Sequence, residues 1–239
     1  MIPYHGLPVT PEEVAEIVLK SGHGFVSHRH RSQLPMAALL CQSFAVDNGA
    51  FSAWAEGNPI TDWSPYYSWA ADCAKIPNCD FAVIPDIIDG DEKANDALLA
   101  DWPLPRWFGA PVWHLHESFE RLYRLATSWP RICLGSSGEF NRVGSPQWTM
   151  RMALAMTVLC DVHGRPITKI HGLRMLNPKV FTRYPLSSAD STNIARNVGI
   201  DVHWKSGNYL PATKRGRAAV MRDRIEIHNS PSTWTWSTN

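Results

Sequence analysis

The chain is 239 residues long, 44% hydrophobic and 19% charged, with a formal net charge of +1. This is the balance of a folded globular protein; it excludes a disordered chain, and the net charge by itself points to no partner. No stretch approaches the roughly 20 apolar residues of a membrane span, and the opening MIPYHGLPVTPEE lacks the basic and apolar regions of a signal peptide.

Five cysteines (Cys41, Cys73, Cys79, Cys133 and Cys160) are scattered and never form a CxxC pair. They imply buried thiols in a reducing compartment rather than a disulfide framework or a cysteine-rich zinc site. A soluble cytoplasmic protein with no membrane partner is therefore expected. No linker, repeat or low-complexity tract divides residues 1–239, and this length suits one α/β barrel domain.

In chain order, Thr10-Pro11-Glu12-Glu13 punctuates the first helix, with Thr10 as N-cap, Pro11 at the first helical position and Glu13 completing a capping box. That helix, over 10–20, leads to a strand, GFVSH (24–28), and then to SFAVDNG (43–49). Ser64-Pro65 opens a helix over 65–75, followed by the strand FAVIPD (81–86) and a helix over 91–101. PVWHLH (111–116), a helix over 117–128 and RICLGSS (131–137) continue the alternation. Ser145-Pro146 starts a helix over 146–163, which Gly164 is placed to stop. ITKIHGL (167–173), YPLSSAD (184–190), a helix over 191–198 and the weak strand IDVHW (200–204) complete the series.

Continuous apolar strands alternating with helices predict a parallel sheet covered on both faces. Seven or eight such units, with no GxGxxG or GxxxxGK[ST] loop after the first strand, fit a TIM-like (β/α)8 barrel better than an open doubly wound sheet. Met150, Met152 and Met156 are spaced for the core, and most of the tryptophans are expected to pack helices and loops rather than to form a base-stacking track.

In such a barrel the active site gathers at the C-terminal ends of the strands. Read in order, those ends are His28, Asp47, Asp86, His114 with His116, Gly135-Ser136-Ser137, His171 and Asp190. Nearly every one can move a proton, donate a hydrogen bond or attack an electrophile, and lysine and glutamate are missing. This is the composition of a catalytic mouth.

Three chemistries are open to the ring. The pairs His28/His30 and His114/His116 could ligate a metal with an aspartate, as in barrel metal-dependent hydrolases, although Lys169 lies inside its strand rather than at the mouth. A carboxylate pair could hydrolyse a glycosidic bond. A carboxylate could instead attack a sugar C1′ and hold the sugar covalently while a second carboxylate handles the proton. A purine-like leaving group would then need an aromatic face, available at Phe51, and an edge acceptor, available at Asp86.

The DNGAF turn (47–51) is similar to the Asp-Ser-Gly-Gly-aromatic motif of the queuine/archaeosine tRNA-guanine transglycosylases, and CLGSSGEF (133–140) looks like their glycine-rich base-binding strand. HGLRML and SSADST occupy the places of their last two active-site strands, so the resemblance spans about residues 24–197. The short length and Ala-Asp-Ser-Thr resemble most the phage and bacterial branch that inserts 7-deazaguanines into DNA.

The resemblance implies Asp190 as nucleophile, Asp47 as general acid/base, and Phe51 as the stacking aromatic. It implies Asp86 as base-edge acceptor, Gly135 and Ser136 as backbone readers, and His171 as a further substrate contact. His114 stands where the family has a base-reading glutamine. No cysteine follows Cys160, so the family's zinc-held RNA-docking subdomain is expected to be missing, with no metal and no other cofactor.

DNA then becomes the expected polymer. A basic stripe from Lys205 to Arg224, including Lys214, Arg215 and Arg217, is positioned in sequence to contact its phosphates. The expected activity is exchange of guanine in DNA for a free 7-deazaguanine such as 7-cyano-7-deazaguanine, in the host cytoplasm if phage-encoded, with a homodimer or partner modification enzymes as further associations. The alternatives are the metal-dependent hydrolase on His28 and His30, and a non-catalytic nucleic-acid-binding barrel.

Overall fold

A computed structural model describes residues 1–199, 211 and 213–236 of the chain. Nine parallel strands, β1 (Ile2–Gly6), β2 (His23–Ser27), β3 (Ser43–Asp47), β4 (Cys79–Val83), β5 (Gly109–Ala110), β6 (Val112–His114), β7 (Arg131–Gly135), β8 (Lys169–Gly172) and β9 (Ser188–Ser191), form one sheet. The order is β5-β4-β3-β2-β1-β9-β8-β7-β6, so the first strand sits between the second and the last. The two edges of this order, β5 and β6, are separated in sequence by Pro111 alone. Ala110 O accepts from Ile84 N on one side (3.0 Å), and Pro111 O accepts from Cys133 N on the other (2.8 Å). The sheet is thereby a nearly closed barrel flanked by helices, compatible with a TIM-like barrel.

The helices following the strands are α1 (Glu12–Leu19), α2 (Leu34–Leu40), α3 (Ala50–Ala55), α4 (Ser64–Cys73) and α5 (Glu92–Ala100). After these come α6 (Phe119–Ser128), α7 (Pro146–Leu159), α8 (Pro178–Phe181), α9 (Asn193–Asn197) and α10 (Lys214–Glu226). Side-chain caps explain several starts: Asp91 accepts from Ala94 N, Ser118 from Arg121 N and Ser145 from Trp148 N. Each satisfies an N–H that the first helical turn leaves unpaired.

Several sequence expectations are corrected here. The sheet begins with β1, whose IPYHG is too short and too polar to read as a strand. The expected strand at 200–204 lies outside the described residues. Thr10 is not a cap: α1 has Pro11 at its N-cap, with no side-chain hydrogen bond. Ser64 is already helical, its N–H accepted by the Asp62 carboxylate at 2.9 Å. Met152 and Met156 are buried, but Met150 is 57% exposed. Trp63, Trp102, Trp113, Trp129 and Trp148 are buried as expected, whereas Trp54 and Trp107 face outward.

Two apolar cores lie on opposite faces of the sheet. Phe44, Val46, Trp113, Ile132, Leu134, Ile170 and Ala189 pack outward with the helices. Tyr4, Phe25, Ala45, Phe81, Val83, Ala110, Val112 and Cys133 pack together inside the barrel. The inner row follows the two-residue period of the pleat. At the N-terminal end it is closed by polar groups: Asp80 accepts from Tyr4 Oη (2.7 Å) and Arg131 Nη1 (2.8 Å), and the Arg131 guanidinium lies 4.1 Å from the Phe81 ring centre. Lys169, the first residue of β8, belongs to this end, away from the mouth.

The C-terminal segment is tied back to the barrel: Trp234 N donates to Gly164 O (2.8 Å) and Ser230 Oγ to Phe181 O (3.0 Å). Gly164 therefore does more than follow a helix, and α7 has already ended at Leu159. Its φ is 75°, and a Cβ there would lie 2.2 Å from Trp234 O. Gly164→Ala should cost roughly 1–3 kcal/mol through backbone strain and displacement of the Trp234 backbone. Urea unfolding measures the loss, and limited proteolysis should cut the 230–236 segment faster. Unchanged stability and cleavage would show that the segment does not depend on this close approach.

Candidate active site

The inner row continues past the apolar core. Two residues beyond Ala45 comes Asp47, two beyond Val112 comes His114, and two beyond Cys133 comes Gly135. Asp190 likewise follows Ser188 on β9. The pleat thus delivers a polar group to the mouth from each of these strands once the core is filled.

After Asp47 the chain turns at once. Gly49 adopts a φ of 82° as the N-cap of α3, and its N–H donates to Asp47 Oδ2 at 3.0 Å. Asn48, buried at 1% exposure, locks the turn to the neighbouring strand. Its Nδ2 donates to Ile84 O (2.9 Å) and to Asp86 Oδ1 (2.8 Å), while its Oδ1 accepts from Ala50 N (2.7 Å). Asn48 is thus what fixes Asp86, a role its place inside DNG only hints at.

Asp47 is pushed up to about 7. Burial is the main cause, followed by the charges of Asp190 and Asp86, and the Gly49 N–H only partly offsets them. Asp190 lies in different company. Its Oδ1 accepts from Arg174 N (2.9 Å) and meets His171 Nε2 at 3.3 Å. The His171 ring is fully buried and its pKa is lowered by burial against the opposing pull of Asp190. A neutral imidazole has one N–H; a carboxylate only accepts, so Nε2 carries it, and Nδ1 accepts from Ser188 Oγ at 2.8 Å. His171 stacks on Phe25 beneath the mouth and acts on Asp190.

His114 is 3% exposed, with Nε2 2.9 Å from Asp86 Oδ2. That proximity lacks hydrogen-bond geometry, so both buried ring nitrogens are without a hydrogen-bond partner, and Nδ1 faces Gly135, where an added Cβ would lie 3.1 Å away. A buried polar atom without a partner is costly, and at a concave site it marks where a ligand atom would bond. Glu117 holds the loop that presents His114: its Oε2 accepts from His114 N (2.8 Å) and Arg121 Nη1 (2.6 Å), and its Oε1 from Asn95 Nδ2 (3.1 Å). Arg151 donates to the carbonyls of Leu115 and Glu117 in the same loop.

Ser136 is buried, its Oγ accepting from Trp148 Nε1 (2.9 Å) and its carbonyl from Arg174 Nη2 (3.0 Å). Phe51, 39% exposed on α3, carries the Arg174 guanidinium 3.9 Å from its ring centre. Arg174 therefore joins Asp190, Ser136 and Phe51, although it stands within HGLRML without any sequence mark of such a role.

The HxH pairs separate. His28 packs on Tyr66 and Trp69 and meets Arg31 Nη1 at 3.1 Å, and its pKa is lowered by burial and by Arg31. His30 is exposed. His114 and His116 stack with ring centres 5.7 Å apart, and His116 Nδ1 meets Ser137 Oγ at 2.8 Å. Among the described residues no group of three or more His, Cys, Asp or Glu side chains is arranged to hold a metal ion.

The basic stripe divides as well. Lys205 lies outside the described residues. Arg222 Nη1 donates to the carbonyls of Ile17 and Lys20 at the end of α1, and Arg217 Nε to Pro211 O (3.1 Å). Lys214 and Arg215, on the first turn of α10, are exposed. The far end of α10 lies beside Met1 and Pro3, at the N-terminal end of the barrel.

No family model, curated protein or solved structure matches the chain.

The elevated pKa of Asp47 has a thermodynamic consequence. Between the ordinary carboxylate value of about 3.9 and about 7, the folded state holds a proton that the unfolded state releases. Asp47 therefore leaves stability unaffected below that window and lowers it progressively as pH rises through it. Asp47→Asn, neutral throughout, should raise the melting temperature by a few degrees at about pH 8 and little at about pH 4. The same shift at both values would show that Asp47 is not strained by its charge.

Proposed function

We propose that the protein is a DNA-guanine transglycosylase of (β/α)8 architecture, exchanging guanine in DNA for a 7-deazaguanine such as 7-cyano-7-deazaguanine through a covalent aspartyl-glycosyl intermediate. The observation that carries this reading is the contrast between two carboxylates at one mouth. Asp190 accepts hydrogen bonds from Arg174 N and His171, whereas Asp47 keeps its proton up to about pH 7. Two carboxyl groups in such different surroundings are suited to separate roles.

The target nucleotide must leave the duplex stack to reach such a mouth. An Asp190 oxygen attacks C1′ as the C1′–N9 bond breaks, and the Asp47 carboxylic acid gives its proton to the departing guanine. The resulting Asp47 carboxylate then takes the N9 proton of the incoming 7-deazaguanine. N9 attacks C1′, and the ester bond to Asp190 breaks. One glycosidic bond replaces another, so no energy cofactor is needed. Asp86 would accept from the amino group and ring N–H of the base, His114 Nδ1 would take the partner it lacks, and Phe51 would supply a stacking face. Gly135 and Ser136 bring backbone close to the base, and His171 supports the nucleophile from below.

The test is to trap the intermediate. DNA incubated with the protein and no incoming base should give a denaturation-resistant adduct whose peptide map ends at Asp190. Asp190→Asn should abolish adduct and exchange, because an amide is a poor nucleophile. Adduct formation should decline as pH rises through about 7, where Asp47 loses the proton it donates, and release of the adduct by free base should decline below about 7. DNA attached at Asp47, or exchange retained in Asp190→Asn, would sink the assignment.

The polymer contact has its own test. Charge reversal at Lys214 and Arg215 should weaken DNA binding and reduce the log–log salt slope by about one unit for each phosphate no longer neutralised. A slope equal to wild type would move the phosphate-binding surface elsewhere.

A further inference from the structure

The two features best suited to receive a base are already taken by one side chain. Arg174 lays its guanidinium 3.9 Å from the centre of the Phe51 ring and donates from Nη2 to Ser136 O at 3.0 Å. The backbone holds it there: Arg174 has a φ of 58°, in the left-handed region that non-glycine residues seldom occupy, while its N–H donates to Asp190 Oδ1. The strained residue is thus pinned at its main chain by the nucleophile, and its side chain crosses the mouth toward Phe51. Its charge faces the carboxylates of Asp190 and Asp47.

A planar cation of this kind imitates a base. It stacks on an aromatic face as a purine does, and it offers N–H groups to a carbonyl in the same plane. It also brings a positive charge to a mouth that otherwise gathers the carboxylates of Asp47, Asp86 and Asp190. We propose that Arg174 is an internal plug of the base site, occupying the Phe51 face and the Ser136 carbonyl until a base displaces it. This rests on the base-exchange reading above. It makes Arg174 a specificity-determining residue, because a ligand must replace both the stacking and the hydrogen bond to open the site. Flat heterocycles with an N–H edge can do so, whereas aliphatic or purely acceptor ligands cannot.

The experiment is equilibrium binding of free guanine and of 7-deazaguanine, by calorimetry, to the wild-type chain, Arg174→Ala and Arg174→Lys. Neither substitution removes the backbone N–H on Asp190, and circular dichroism checks that each variant folds. Removal of the plug should tighten binding to Arg174→Ala on the order of tenfold. Arg174→Lys, which keeps the charge but not the plane, should fall between the two. Methylguanidinium added to Arg174→Ala should fill the vacated place and weaken base binding competitively, an effect that a merely structural role would not produce. Binding to wild type as tight as to Arg174→Ala, or no competition by methylguanidinium, overturns the plug while base binding itself stands. Failure of every folded variant to bind either base overturns the base-exchange reading, and the plug with it.

Discussion

The pleat of the parallel strands is the constraint on which the rest of the molecule depends. In a nearly closed parallel sheet, alternate side chains must share a narrow interior, and they have only two exits. Tyr4, Asp80 and Arg131 close one end with a bonded polar cluster. Phe25, Ala45, Phe81, Val83, Ala110, Val112 and Cys133 fill the middle with apolar volume. The next inward positions can only be the mouth, and there the chain places Asp47, His114, Gly135 and Asp190. Apolar packing lies below, so the Asp47 carboxyl is solvated poorly and its pKa is raised by burial and by the charges of Asp190 and Asp86.

Several of those neighbours come from loops. Asn48 holds Asp86, Glu117 holds the loop bearing His114, and the Arg174 backbone holds Asp190. Each loop residue is itself bonded at several atoms, so the orientation of each site group is set by a second layer that would be hard to shift piecemeal. Three carboxylates converge electrostatically without sharing donors. Asp47 has only the Gly49 N–H and the Ser27 hydroxyl to offset its burial and the neighbouring charges, and it is the one whose protonated form is favoured.

Outside the barrel the same logic sorts residues that look alike. Arg217 and Arg222 belong to the basic stripe, yet both donate to backbone carbonyls, Arg217 to Pro211 just ahead of α10 and Arg222 to the end of α1, where it docks α10. Lys214 and Arg215, one helical turn away, face solvent. Gly164 looks like a helix stop, but the close passage of Trp234 is what requires it to be glycine.

The sequence by itself determined the class of fold and most of the mouth. Apolar runs with helices between them are a local signal, and a carboxylate or histidine at the tip of each run is visible without coordinates: Asp47, Asp86, His114 and Asp190 were all legible this way. β1 was not, because IPYHG acquires its strand character from pairing with β2 and β9 on both sides rather than from its own composition. Nor were the states of the site groups. Whether His28 and His30 converge, whether Asp47 keeps its proton and where Arg174 lays its guanidinium depend on charges and rings brought together from distant parts of the chain. Such through-space terms have no counterpart in sequence spacing, so only the tertiary structure could decide them.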